Sequence, residues 1–177
     1  MKVKRSERSN SFCGPAALSL LSGKHVDDCV KEVHAYRNRD GFLSGFRRRS
    51  VKGMSNTEML RVLLRMGYDN TGVCSLNGYN MKTLAGPEYI VVPKVITAPT
   101  LVAFMRWLKK QPQWNAKKTY LINITGHYIV MKGIKLFDNR HPEGIFFGKY
   151  GHRRARVKYA WEVARRTTHR AFSASSH

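Results

Sequence analysis

Over roughly the first third of the chain, apolar residues recur at helical spacing. Cys13-Gly14-Pro15 opens a helix that runs to about Leu21 and is ended by Ser22-Gly23. Pro15 suits a first helical turn, where its missing N–H is no loss. After His25, the segment VDDCVKEVHAYRN places Val26, Cys29, Val30 and Val33 on one stripe and predicts a second helix. Ser55 or Asn56 caps a third, with Glu58 near its start, Met59, Leu60, Leu63 and Leu64 as its buried stripe, and Gly67 as its end. Pro99-Thr100 starts a fourth, TLVAFMRWLKK, closed by Gln111-Pro112.

Elsewhere the period shortens. Residues 68–98 predict short strands, with Pro93 in EYIVVPKVI forcing an edge or a break. TYLINIT, HYIVMK and IKLFD predict consecutive strands, followed by HPEGIFFGKYG. The segment ARVKYAWEVARR reads as a strand passing into a basic helix, and the Gly- and Arg-rich GFLSGFRRRSVKG as an exposed loop. Helices followed by antiparallel strands make an α+β order. Residues 1–170 read as one domain with a basic N-terminal lead, and residues 171–177 as a flexible tail.

The stretch GHYIVMKGIKLFD carries the first sign of chemistry. With Lys132-Gly133 as a two-residue turn, Met131 pairs with Ile134, Ile129 with Leu136, and His127 with Asp138. Opposed residues share a face with Cβ atoms about 5 Å apart. A carboxylate that orients an imidazole is half of a nucleophilic triad. Asn139 is the rival orienting residue, but alternation turns it to the other face. Cys13, just before a helix, supplies the nucleophile. Free N–H groups and a neighbouring imidazolium both stabilise a thiolate.

Composition narrows the setting. The 177 residues, 42% of them hydrophobic, suffice for one domain with a core. Three cysteines at wide spacing make no disulfide framework, so the chain is expected in a reducing, intracellular compartment. No apolar run is long enough to span a membrane, and MKVKRSERSNSF has no apolar core of a secretory signal. Neither metal-ligand spacing nor a Gly-rich phosphate loop is present, so no metal or cofactor is expected. Cys29 and His34 lie five apart, off a common helical face, while His141 and His152 stand in loops with solvent-exposed or capping roles.

Around CGPAAL and GHYIVMKG, with Asp138 closing the next strand, the chain resembles the papain-like cysteine peptidase fold, in its compact bacteriocin-processing type and phage-encoded relatives. NTEMLRVLLRMGY and PTLVAFMRWL fit the intervening pattern, and the resemblance covers most of residues 7–165. It implies N-terminal helices packed on an antiparallel sheet, with Cys13 as nucleophile, His127 as general base and acid, and Asp138 as orienting residue. It also implies a cytoplasmic protein, in a host cell if phage-encoded, or a virion component. Such relatives usually carry a glutamine six residues before the cysteine as oxyanion donor; here that position is Glu7. An ionised carboxylate cannot donate a hydrogen bond, and Asn10 is the nearby amide that can.

The charge adds a second theme. Lys and Arg number 32 against 11 Asp and Glu, a net +21 that attracts polyanions: DNA, RNA, nucleoprotein or an acidic protein substrate. The cations cluster at residues 1–8, at Arg47, Arg48 and Arg49, around Lys109, Lys110, Lys117 and Lys118, and around Arg153, Arg154, Arg156, Arg165 and Arg166. Trp107, Trp114, Tyr159 and Trp161 interleave with the last two groups, a composition suited to phosphate contact with base stacking. Two functions follow: a thiol hydrolase acting on an acidic or nucleic-acid-associated substrate, or a catalytically degenerate scaffold that binds nucleic acid or a nucleoprotein or virion assembly.

Overall fold

The computed structural model describes residues 12–39, 53–75, 98–112 and 114–166. The four helices are α1 (Cys13–Ser22), α2 (Val26–Arg39), α3 (Asn56–Arg65) and α4 (Leu101–Leu108). The strands are β1 (Tyr68–Ser75), β2 (Thr119–Ile124), β3 (His127–Lys132), β4 (Lys135–Phe137), β5 (Ile145–Phe146) and β6 (Val157–Arg165). The chain is α+β, with one antiparallel sheet in the order β1-β6-β2-β3-β4-β5. The segment EYIVVPKVI, the Arg47–Arg49 cluster and the C-terminal tail lie outside the described residues.

Local chemistry sets the helix ends. Gly23 takes a left-handed conformation (φ 72°) and its N–H closes α1 onto the Ser19 carbonyl. At α3 the Ser55 hydroxyl accepts the Glu58 N–H while the Glu58 carboxylate accepts the Ser55 N–H, a reciprocal capping box. The same carboxylate pairs with Arg37, which ties the start of α3 to α2. Thr100 caps α4 by accepting the Ala103 N–H. The buried residues of α3 are Met59, Leu60, Val62 and Leu63. Leu64, expected inside, is only half-buried, because α3 lies against both α2 and β1 and its inward arc takes in Val62 instead.

The sheet is covered on both faces. One cluster joins Leu18, Leu20, Cys29, Val33, Met59 and Leu63 from α1–α3 to Leu121, Tyr128, Val130 and Trp161 of the sheet. A second joins Leu101, Phe104, Met105 and Leu108 of α4 to Tyr120, Ile122, Ile129, Met131 and Ala160 on the opposite face. Two of the sequence expectations change here. The segment ARVKYAWEVARR is strand through Arg165 and does not pass into a helix; β6 enters the middle of the sheet, between β1 and β2. A strand buried on both faces has apolar residues on both, and the clean alternation of a half-exposed strand is lost.

The second change is the β3–β4 hairpin. Its pairs are Val130 with Phe137, Met131 with Leu136 and Lys132 with Lys135, so the turn residues are Gly133 and Ile134, not Lys132 and Gly133. Gly133 has φ +60° and no non-glycine described residue has positive φ. A tight turn with glycine first and a negative-φ residue second is the II′ arrangement, which suits the strand twist. Lys132-Gly133 would have asked lysine for a left-handed backbone or left the glycine in the wrong place. The shift keeps parity: Ile129, not His127, stands in register with Asp138, and all three side chains stay on one face. His127 and Asp138 become diagonal neighbours, still within reach of long side chains.

Candidate active site

The turn before β3 fixes the histidine. Ile124 pairs with His127 across Thr125-Gly126, and Gly126 has φ +73°, a conformation that glycine adopts without a Cβ penalty. Beside it, the register of β2 on β6 slips between Asn123 and Ile124, a bulge at the sheet end that carries the site. His127 is thus the first residue of its strand. By parity it belongs with Ile129 and Met131 on the α4 face, yet its ring at the sheet's end meets Cys13 from the α1 layer on the other side.

Cys13 is the first residue of α1, which packs on β3. Phe12, at the cap position, has no side-chain cap bond, so the first N–H groups of the helix are not taken by a capping side chain. The sulfur lies against His127 and receives backbone hydrogen bonds from Tyr128 and Gly14. Burial alone would raise the thiol pKa, but the His127 hydrogen bond and charge, with those two N–H groups, outweigh it and hold it below its ordinary value. Cys29 behaves oppositely: burial in the core outweighs its contact with the Ser22 hydroxyl and pushes it up to about 11.

His127 Nε2 is 3.1 Å from Asp138 Oδ2. Its other ring nitrogen, Nδ1, is left for Cys13. Burial opposes the charged imidazolium, yet the Asp138 and Cys13 hydrogen bonds raise its pKa to about 9. Asp138 is 1% exposed and serves several donors at once. Its Oδ1 accepts the N–H groups of Arg140 (2.9 Å) and His141 (2.6 Å) and meets His141 Nδ1 at 3.0 Å. Its Oδ2 accepts the Tyr150 hydroxyl at 2.9 Å in addition to His127. Burial disfavours the charge, but these bonds, that of His127 foremost, hold the carboxyl well below the usual carboxylate range. An ionised carboxylate only accepts, so both histidine nitrogens facing it carry protons.

The loop from Asp138 to Gly144 has its own reason to fold this way. An aspartate accepting N–H groups two and three residues on nucleates a turn. Gly144 closes it with φ +81°, and a Cβ there would stand 2.4 Å from the Phe137 ring. Asp138, as expected, is the carboxylate facing His127. His141, expected to be exposed or capping, instead holds Asp138, and Tyr150 was not foreseen. The Asp-x-x-His spacing was a usable signal for His141. No local pattern announces Tyr150, which arrives from twelve residues away after a short 3-10 helix.

The basic clusters fare unevenly. Lys109, Lys110, Lys117, Arg153, Arg154 and Arg165 are exposed. Lys118 pairs with Glu162 at 2.9 Å, Arg156 donates to the Ala98 carbonyl at 2.9 Å, and Arg166 pairs with Asp69 at 2.9 Å. The interleaved aromatics are largely core: Trp161 is 1% exposed with Tyr159 stacked on it, and Trp114 stacks on the buried Tyr120. Trp161 therefore offers no face to a base, because the central strand spends that face on the core. Glu7, Asn10, Arg47, Arg48 and Arg49 lie outside the described residues.

No helix among the described residues is long and apolar enough to cross a membrane. Compared with protein-family models, curated proteins and solved structures, the chain finds no match in any of the three.

Proposed function

We propose that this chain is a thiol hydrolase of papain-like architecture, a cysteine peptidase in reaction type, with Cys13 as nucleophile, His127 as general base and acid, and Asp138 as orienting carboxylate. One observation carries the reading: a single imidazole bonded on one side to a helix-opening thiol and on the other to a buried carboxylate. In the reaction the Cys13 thiolate attacks an acyl carbon and forms a tetrahedral adduct. His127 gives its Nδ1 proton to the leaving group as the carbon–leaving-group bond breaks, which leaves a thioester on Cys13. Water then attacks the thioester while His127 takes its proton, and the thiolate is released. Asp138 keeps Nε2 protonated and Nδ1 turned to sulfur throughout.

The test is thiol alkylation followed residue by residue. Cys13 is expected to react at least tenfold faster than Cys29 at pH 7, and His127→Ala to remove most of that advantage. Equal rates at the two cysteines would end the hydrolase reading.

The exposed, like-signed cations favour a second reading beside it, a non-enzymatic polyanion binder on the same scaffold. Affinity for nucleic acid would then fall steeply with salt and survive Cys13→Ala. Binding that ignores salt, or no binding, removes it.

A further inference from the structure

A cavity of about 270 Å³ opens beside the catalytic imidazole, lined by Ile124, Thr125, His127, Arg140, His152 and Ala155. Its lining includes His127 but not Cys13, so it adjoins the general acid rather than the nucleophile. In acyl transfer the general acid must touch the departing atom, and whatever that atom belongs to lies against the histidine. The cavity is therefore on the leaving-group side of the bond to be cut.

Its walls have a definite chemistry. Ile124 is buried and Ala155 half-buried, and they give an apolar floor. Arg140 and His152, both exposed, complete the lining. The carboxylate nearest in sequence to Arg140, Asp138, is committed to two histidines and Tyr150, and Arg140 makes no ion pair with any described residue. The Arg140 backbone is itself pinned to Asp138 at 2.9 Å, so its side chain projects from a fixed point next to the triad. A planar guanidinium suits a carboxylate in two-point contact.

We propose that this cavity is a subsite for a carboxylate-bearing group on the leaving side of the scissile bond, with Arg140 as its principal partner. The proposal rests on the hydrolase reading and gives it a substrate class, an acidic peptide cut just before its acidic residue. A volume of about 270 Å³ is near the lower bound of ligand pockets, which fits one side chain and not a longer ligand.

Two disulfide reagents separate the subsite from the thiol. In both, the Cys13 thiolate attacks one sulfur, a new S–S bond forms, the old one breaks, and an aryl thiolate leaves with the electron pair. Thionitrobenzoate disulfide expels a group bearing a carboxylate; dipyridyl disulfide expels one without. Modification is followed at Cys13 by peptide mass in the full chain. Because a net charge of +21 attracts any anion, Lys117→Gln serves as control. Lys117 precedes β2, at the end opposite Ile124, roughly 20 Å away and beyond two screening lengths at physiological salt.

The ratio of the anionic to the neutral rate is expected to fall about fivefold in Arg140→Gln, to recover in Arg140→Lys, and to hold in Lys117→Gln. A fast Cys13 whose ratio ignores Arg140, or drops equally in Lys117→Gln, overturns the subsite and leaves the hydrolase reading standing. A Cys13 no faster than a free thiol toward either reagent overturns both.

Discussion

Asp138→Ala is expected to lower the rate of Cys13 alkylation at pH 7 by about a hundredfold and to cost ~3–5 kcal/mol of stability, the range for breaking a buried ion pair by removing one partner. Asp138 is 1% exposed, and its removal strands the His127 and His141 ring N–H groups, the Tyr150 hydroxyl and two backbone N–H groups. Each lost bond to a charged acceptor is worth about 1.5–3 kcal/mol, though the losses do not simply add. Asp138→Asn separates the two consequences. It keeps the shape, so most of the fold should remain, but it removes the charge that keeps His127 protonated. Thermal unfolding and alkylation rate, measured side by side, check both. An Asn variant as reactive as the native chain would show that Asp138 only holds the loop.

The pH profile of Cys13 modification is the second large effect. The thiol is held below its ordinary value and His127 is raised to about 9, so the thiolate forms at lower pH than in a free cysteine while the imidazolium persists toward pH 9. The alkylation rate should rise at lower pH than for a free thiol, whose midpoint is about 8.5. Hydrolysis should fall again near pH 9 as His127 loses the proton it must donate. In His127→Ala, burial acts on the sulfur without its counterion, the rise moves to higher pH, and the rate near pH 6.5 drops tenfold or more. A profile unchanged by that substitution would contradict the pairing.

Stability follows by linkage, with signs set by the same shifts. His127 is raised, so its contribution is full below the ordinary imidazole value of about 6.5 and is lost as pH rises through the folded value near 9. Asp138 is lowered, so its contribution is full above the ordinary carboxyl value of about 3.9 and is lost as pH falls toward the folded one. Cys13→Ala is expected to move the His127 loss to lower pH, because the Cys13 hydrogen bond and charge are among the interactions that raise His127.

Much of this was legible in the residues. The α1 boundaries, a cap at Ser55 or Asn56, the α4 start at Pro99-Thr100, the β2–β3 strands and the choice of Asp138 over Asn139 all rest on short-range rules: capping, left-handed glycine and two-residue alternation. Register was harder. The residue pattern puts the hairpin turn one residue early, because a Lys-Gly pair resembles a turn in sequence while glycine's positive φ is needed at the first turn position. Parity survived the slip, since the pairing shifted by two in register, and so did the histidine–carboxylate pair.

The sequence by itself determined which residues are candidates for chemistry: a thiol at a helix start, an imidazole at a strand start and a carboxylate on the same face. It also determined the positive field, which is a sum over residues and needs no fold. Only the tertiary structure decided that β6 lies between β1 and β2, that Trp161 is core, that His141 and Tyr150 grip Asp138, and that Arg140 walls a cavity beside His127. The physical reason is range. Caps, turns and alternation act within a few residues, whereas the worth of a tyrosine hydroxyl or an arginine depends on which distant group has been left without water.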